Sequence, residues 1–127
     1  MRRRISSGSP FEAEIGFSRA VVFGRKVHVS GTAPVMPDGV APPPDAYAQA
    51  RRCLEIIGAA LAEAGAGFGD VVRTRTFLVR RADWREVGRA HGEVFSETRP
   101  ASTMVVVKEL LDPAWLVEIE VDAVLST

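Results

Sequence analysis

The stretch Val117-Glu118-Ile119-Glu120-Val121-Asp122-Ala123-Val124 alternates apolar and acidic side chains from Val117 to Ala123. A period of two is the signature of a β-strand, whose successive side chains point to opposite faces of a sheet. Val117, Ile119, Val121 and Ala123 therefore share a face suited to packing on helices. Glu118, Glu120 and Asp122 share the other, which must face water or the interior of an oligomer. The strand predicts a sheet covered on one side only.

Two segments upstream have the pattern needed to cover that side. Ala46, Ala50, Cys53, Leu54, Ile57, Leu61 and Ala64 recur at steps of three and four, the apolar stripe of an amphipathic helix. Asp45 is placed to cap its start and Gly65 to stop it. A second helix is expected from near Asp83, where Asp83-Trp84-Arg85-Glu86 has the form of a capping box, with Trp84, Val87, Ala90, His91, Val94 and Phe95 on its apolar side. Pro100 breaks the chain after it.

The remaining segments read as strands. Residues 18–22 and 26–30 flank Phe23-Gly24-Arg25, a hairpin turn, and Gly31 follows the second strand, where it permits close approach by another group. Residues 71–79 form a third strand, with Arg73, Arg75 and Phe77 on one face and Val72, Thr74, Thr76 and Leu78 on the other. Residues 103–109 and 116–125 complete the set. The order strand, strand, helix, strand, helix, strand, strand gives an α+β fold, one mixed sheet with two helices on one face. The prolines and glycines of residues 37–44 form an extended loop too short to divide the chain, so residues 1–127 are one domain.

Composition narrows the function. The 127 residues carry zero formal net charge, which provides no bulk attraction to nucleic acid. Arg2, Arg3 and Arg4 are expected to be a flexible, solvated start. They are followed by Ile5-Ser6-Ser7-Gly8-Ser9-Pro10 rather than an apolar run, so no signal peptide is expected, and no stretch is long enough to span a membrane. A cytoplasmic protein is the simplest expectation. The one cysteine, Cys53, lies in a helical stripe and reads as a packed thiol. Two histidines and one cysteine, far apart, make no metal motif, and no cofactor motif is present. Residues 65–69 are glycine-rich but follow a helix and precede a strand, the reverse of a phosphate loop. Ser30-Gly31 is no nucleophile elbow.

Several groups remain as candidates. Glu118 is a carboxylate between apolar neighbours; burial would raise its pKa and fit it to act as a general base toward water. The alternative is a solvated or ion-paired strand residue. Arg75 shares a face with Phe77 and can supply a cation to a site there, or can pair with Glu118, Glu120 or Asp122 across the polar face. His28 adjoins Ser30-Gly31, and His91 reads as packing or surface.

The block from Pro100-Ala101-Ser102-Thr103-Met104 to Glu120, with Val27-His28-Val29-Ser30-Gly31, the Gln49-containing helix and Asp70-Val71-Val72, resembles the YjgF/RidA family of reactive intermediate deaminases. The resemblance spans residues 16–124. It implies a chorismate-mutase-like fold and a homotrimer with small-metabolite clefts between subunits. It implies Glu118 as the acid that positions the hydrolytic water, with Phe17, Ser30, Gly31, Phe77, Ser102, Thr103 and Met104 lining the substrate site. In members that hydrolyse imines, arginine stands where this chain has Ser102 and holds the substrate carboxylate; many members have tyrosine at Phe17. A serine hydroxyl cannot form arginine's charged fork. Arg75 is then a candidate replacement. The resemblance implies an enamine or imine hydrolase of altered substrate range, or else a non-enzymatic binding trimer; a ribonuclease, the third reading, lacks a basic aromatic surface.

Overall fold

The computed structural model describes residues 2–126. Six strands form one sheet: β1 (Arg2–Ile5), β2 (Ala20–Phe23), β3 (Lys26–Thr32), β4 (Val71–Leu78), β5 (Ala101–Val106) and β6 (Val117–Val124). Their order is β1-β2-β3-β6-β4-β5, antiparallel throughout except for the β4–β5 pair. That pair is parallel because α2 (Trp84–Phe95) joins its strands, and parallel neighbours need a long crossover. Helix α1 (Ala46–Glu63) lies over β3 and β6 and packs against α2.

The core sits between this helix layer and the apolar face of β6. Val117, Ile119, Val121 and Ala123 are buried with Ala50, Cys53, Leu54, Ile57 and Leu61 of α1, and with Val87, Ala90 and Phe95 of α2. Asp45 caps α1 by accepting from the Ala48 amide at 3.0 Å. Gly65, at φ 85°, ends it with the two bonds expected of a left-handed stop: its amide donates to Ala62 O and that of Ala66 to Leu61 O. Gln49, fully buried, locks the loops above the helix start. Its amide nitrogen donates to Pro43 O and Ala114 O, and its oxygen accepts from the Leu116 amide.

Four expectations need correction. Residues 2–4 are exposed but form no loose start: they pair with β2 as an edge strand, and Arg3 donates to the carbonyls of Glu63 and Ala64 at the C-terminus of α1. Cations suit that end of a helix, where carbonyls lack partners. Asp83 does not cap α2 with its side chain; Arg80 holds both its oxygens, at 2.9 and 3.1 Å. Val72 does not face the core. One extra β4 residue between Val71 and Arg73 bulges the ladder against β6, so Val71 is buried and Val72 is 49% exposed. The strand after Pro100 begins earlier, at Ala101, and ends at Val106.

Candidate functional site

A second bulge builds the site. Between Val29 and Thr32, β3 advances three residues while β6 advances two, from Val121 to Ile119. The chain therefore kinks at Ser30-Gly31. Ser30 braces the kink, its hydroxyl donating to the carbonyls of Ser18 and Arg19, each at 3.1 Å. Gly31 leaves room above it: a Cβ there would fall on the Glu118 carboxylate. With the acid in this position, no side chain fits at residue 31 unless the carboxylate moves. Phe77 stands opposite Glu118 in the β4–β6 register.

Glu118 is half-buried, and burial raises its pKa above 4.5; Glu120 adds to the rise and Arg19 opposes it. Arg19 lies on the other flank of the bulge. Its Nη1 donates to Gly31 O at 2.8 Å and to Thr32 Oγ1 at 2.7 Å, with a longer contact to Ser30 O at 3.5 Å. Its guanidinium carbon stands 5.7 Å from the Phe17 ring centre. Burial lowers the Arg19 pKa, while Glu12 and Glu118 work against that. Glu12 itself is engaged by Ser6 and Ser7. Sequence reasoning passed over Arg19, and its signal was a lone arginine heading an apolar strand, directly beside Phe17.

The other cation resolves differently. Arg75 lies 3.5 Å from Glu120 and 3.3 Å from Asp122, and His28 lies 2.7 Å from Asp122. This is the cross-strand pairing that the sequence left open as an alternative.

The remaining candidates lie elsewhere on the chain. In the β4–β5 ladder Ser102 pairs with Thr74 and Met104 with Thr76, whose side chains face the helices. Thr74 Oγ1 lies 2.8 Å from Ser102 Oγ and 2.9 Å from His91 Nε2, so a polar chain runs from α2 to the edge strand. His91 packs on the Phe95 ring, and burial lowers its pKa. Thr103 points the other way and accepts from Arg73 Nη2 at 3.0 Å. Ser102 and Met104 thus lie on the opposite face from Glu118 and two strands away, about 10 Å at ordinary strand spacing. Within one chain Phe17, Ser30, Gly31, Phe77 and Glu118 lie around the bulge and Ser102 and Met104 at the sheet edge, while Thr103 of that edge turns to Arg73, and Arg75 to Glu120 and Asp122. Among the described residues, no cluster of three or more histidine, cysteine or acidic side chains is placed to hold a metal, and no helix is long and apolar enough to cross a membrane.

Comparison with known proteins places this arrangement among relatives. The profile of the family described as Endoribonuclease L-PSP matches residues 8–125. The 2-iminobutanoate/2-iminopropanoate deaminase of Escherichia coli (strain K12) is 34% identical over 116 residues, 88% of each chain. The crystal structure of Rv2704 from Mycobacterium tuberculosis, a member of the YjgF/YER057c/UK114 family, superposes with a TM-score of 0.90 at 44% identity, covering 98% of this chain and all of the other. Escherichia coli TdcF, solved with bound serine, superposes with a TM-score of 0.81 at 28% identity, covering 98% of this chain and 94% of its own.

Proposed function

This chain belongs to the endoribonuclease L-PSP family, the YjgF/RidA family, and on that premise we propose that it hydrolyses small enamines or imines in clefts between the subunits of a homotrimer. The observation that carries the reading is Glu118, held half-buried over Gly31 with its pKa raised by burial. A carboxylate so placed takes a proton from water as the oxygen adds to the C=N carbon. The carbinolamine then expels nitrogen: protonated at nitrogen, its C–N bond breaks to leave a carbonyl compound and ammonia. Imine and water thus become carbonyl and ammonia, with no redox change and no cofactor. The deaminase name of a relative 34% identical, and the amino acid bound by another, support a substrate of amino-acid size.

The division of the candidates supports the subunit cleft. Glu118 and Gly31 lie on one face, Ser102 and Met104 on the other, so one chain does not assemble them. A neighbouring copy docking its β5 edge beside the bulge would. Exposed Val105 and Val106 on that edge are apolar groups such a contact would cover.

Ser102 and Phe17 favour a second reading, a trimer that binds a metabolite without turnover, since both lack polar groups found in imine-hydrolysing members. Turnover separates the two. Purified protein is added to an amino-acid-derived imine generated in place by an oxidase, and loss of imine is followed with a chemical trap. Acceleration above buffer supports hydrolysis; saturable binding without acceleration supports the binding trimer.

A further inference from the structure

We propose that Ser102 is a nucleophile, with His91 as its base through the Thr74 hydroxyl, and that the protein thereby cleaves small activated acyl esters. This activity is separate from imine hydrolysis: it uses neither Glu118 nor the bulge at Gly31.

The polar chain between α2 and the sheet edge carries the assignment. Thr74 is fully buried, so its hydroxyl has no solvent to turn to. Its contacts are Ser102 Oγ at 2.8 Å and His91 Nε2 at 2.9 Å. A hydroxyl has one proton to donate and can turn it about the C–O bond, so Thr74 donates to one neighbour and accepts from the other. When Nε2 carries no proton, Thr74 donates to it and accepts from Ser102. The surroundings favour that state. Phe95 of the same helix packs on the ring, Thr74 meets it from β4, and burial is the cause of its lowered pKa, with no charged group contributing. Ser102 is exposed, and among the described residues Thr74 is its side chain's partner. A surface hydroxyl is thus joined to a half-buried base by a single sealed link. Strand β5 is also the last of the sheet. The Val107 amide donates inward to Leu78 O, so alternation turns the Ser102 and Met104 amides to the open edge. The Ser102 amide is then a donor for the oxyanion that forms on attack.

The step balances. As Ser102 Oγ bonds to the acyl carbon, its proton passes to Thr74 Oγ1 and the Thr74 proton to His91 Nε2. The imidazolium returns a proton along the chain to the leaving oxygen, which departs as an alcohol. Water then attacks the acyl-serine, giving its proton to His91, and Ser102 leaves with a proton sent back through Thr74. Ester and water become acid and alcohol with no redox change.

A fluorophosphonate probe, which reacts with serines activated by a base, tests this on the intact protein, with the labelled residue located by peptide mass spectrometry. Wild type is expected to be labelled at Ser102, at a rate that rises with pH as His91 loses its proton. Thr74→Val, shown folded by its melting curve, breaks the link and should slow labelling by about tenfold or more. Thr74→Ser returns the hydroxyl and should restore the rate. His91→Gln leaves Thr74 a partner but no base, and should lose both the rate and its pH dependence. Folded wild-type protein without label on Ser102 overturns the proposal, as does a Thr74→Val protein labelled as fast as wild type. Should Thr74→Val fail to fold, His91→Gln decides, and labelling at the wild-type rate overturns the proposal. Turnover is scored with p-nitrophenyl acetate: steady release that Ser102→Ala abolishes supports the acyl cycle, and release that survives Ser102→Ala contradicts it.

Discussion

At the scale of single residues, the site is a matter of one missing side chain. Gly31→Ala puts a methyl group where the Glu118 carboxylate lies. The carboxylate is the far end of a flexible chain and can swing away, so stability should change little. A displacement of about 1 Å at a reacting group costs on the order of a hundredfold in rate, and that loss, with melting temperature nearly unchanged, is the expected result. Glu118→Gln separates the acid's chemistry from its burial. Because burial raises the Glu118 pKa above 4.5, the protonated form fits the folded protein better than the ionised one. Stability tied to this group is fully present below 4.5 and is lost as pH rises through the raised value. Glutamine escapes that loss, so the variant should gain stability relative to wild type toward neutrality and match it in acid. Hydrolysis needs the carboxylate, so wild-type rate should fall as pH drops through the same raised value. A melting series and a rate profile over one pH range check both signs.

At the scale of elements, legibility followed pattern strength. The alternation of β6 and the stripe, cap and glycine stop of α1 could be read because several signals agreed. Arg2–Ile5 could not, since three arginines conceal a strand whose partner and helix-capping role are both distant in sequence. Val72 was misplaced because a bulge shifts the period and leaves no mark in residue type. Two substitutions probe the packing between elements. Thr74→Val removes the hydroxyl that links His91 to Ser102 and leaves a half-buried ring nitrogen without this partner; a loss of about 1–3 kcal/mol in denaturant unfolding is expected. Gly58→Ala sets helix propensity against space. Alanine gains about 1 kcal/mol in a helix interior, but its Cβ would come within 2.9 Å of the Phe68 ring, which stands edge-on to Phe95. Overpacking costs about 1–3 kcal/mol, so a net loss should appear in the same measurement.

At the scale of the whole molecule, family and sheet architecture were legible, while the meeting of the candidate residues was not. The resemblance gathered Ser102, Met104 and Glu118 into a cleft between subunits; within one chain they lie on opposite faces, because Ser102 and Met104 pair with Thr74 and Thr76 while Glu118 pairs with Phe77, and alternate residues of β4 point opposite ways. Arg19 escaped notice because its contacts are to a bulge in a neighbouring strand. An assembly that reunites the two groups predicts three chains per particle in sedimentation, and Val105→Asp, on the exposed edge, should yield single folded chains with little or no turnover. The proposed imine hydrolysis depends above all on Glu118. The most direct test is the rate of 2-oxo acid and ammonia release from an amino-acid-derived imine, measured for wild type beside Glu118→Gln. Removing a general base costs about a hundredfold or more, so wild type should exceed buffer clearly and the variant should fall back toward it. Wild-type protein no faster than buffer would rule out the hydrolysis, and a Glu118→Gln protein as fast as wild type would rule out Glu118 as its base.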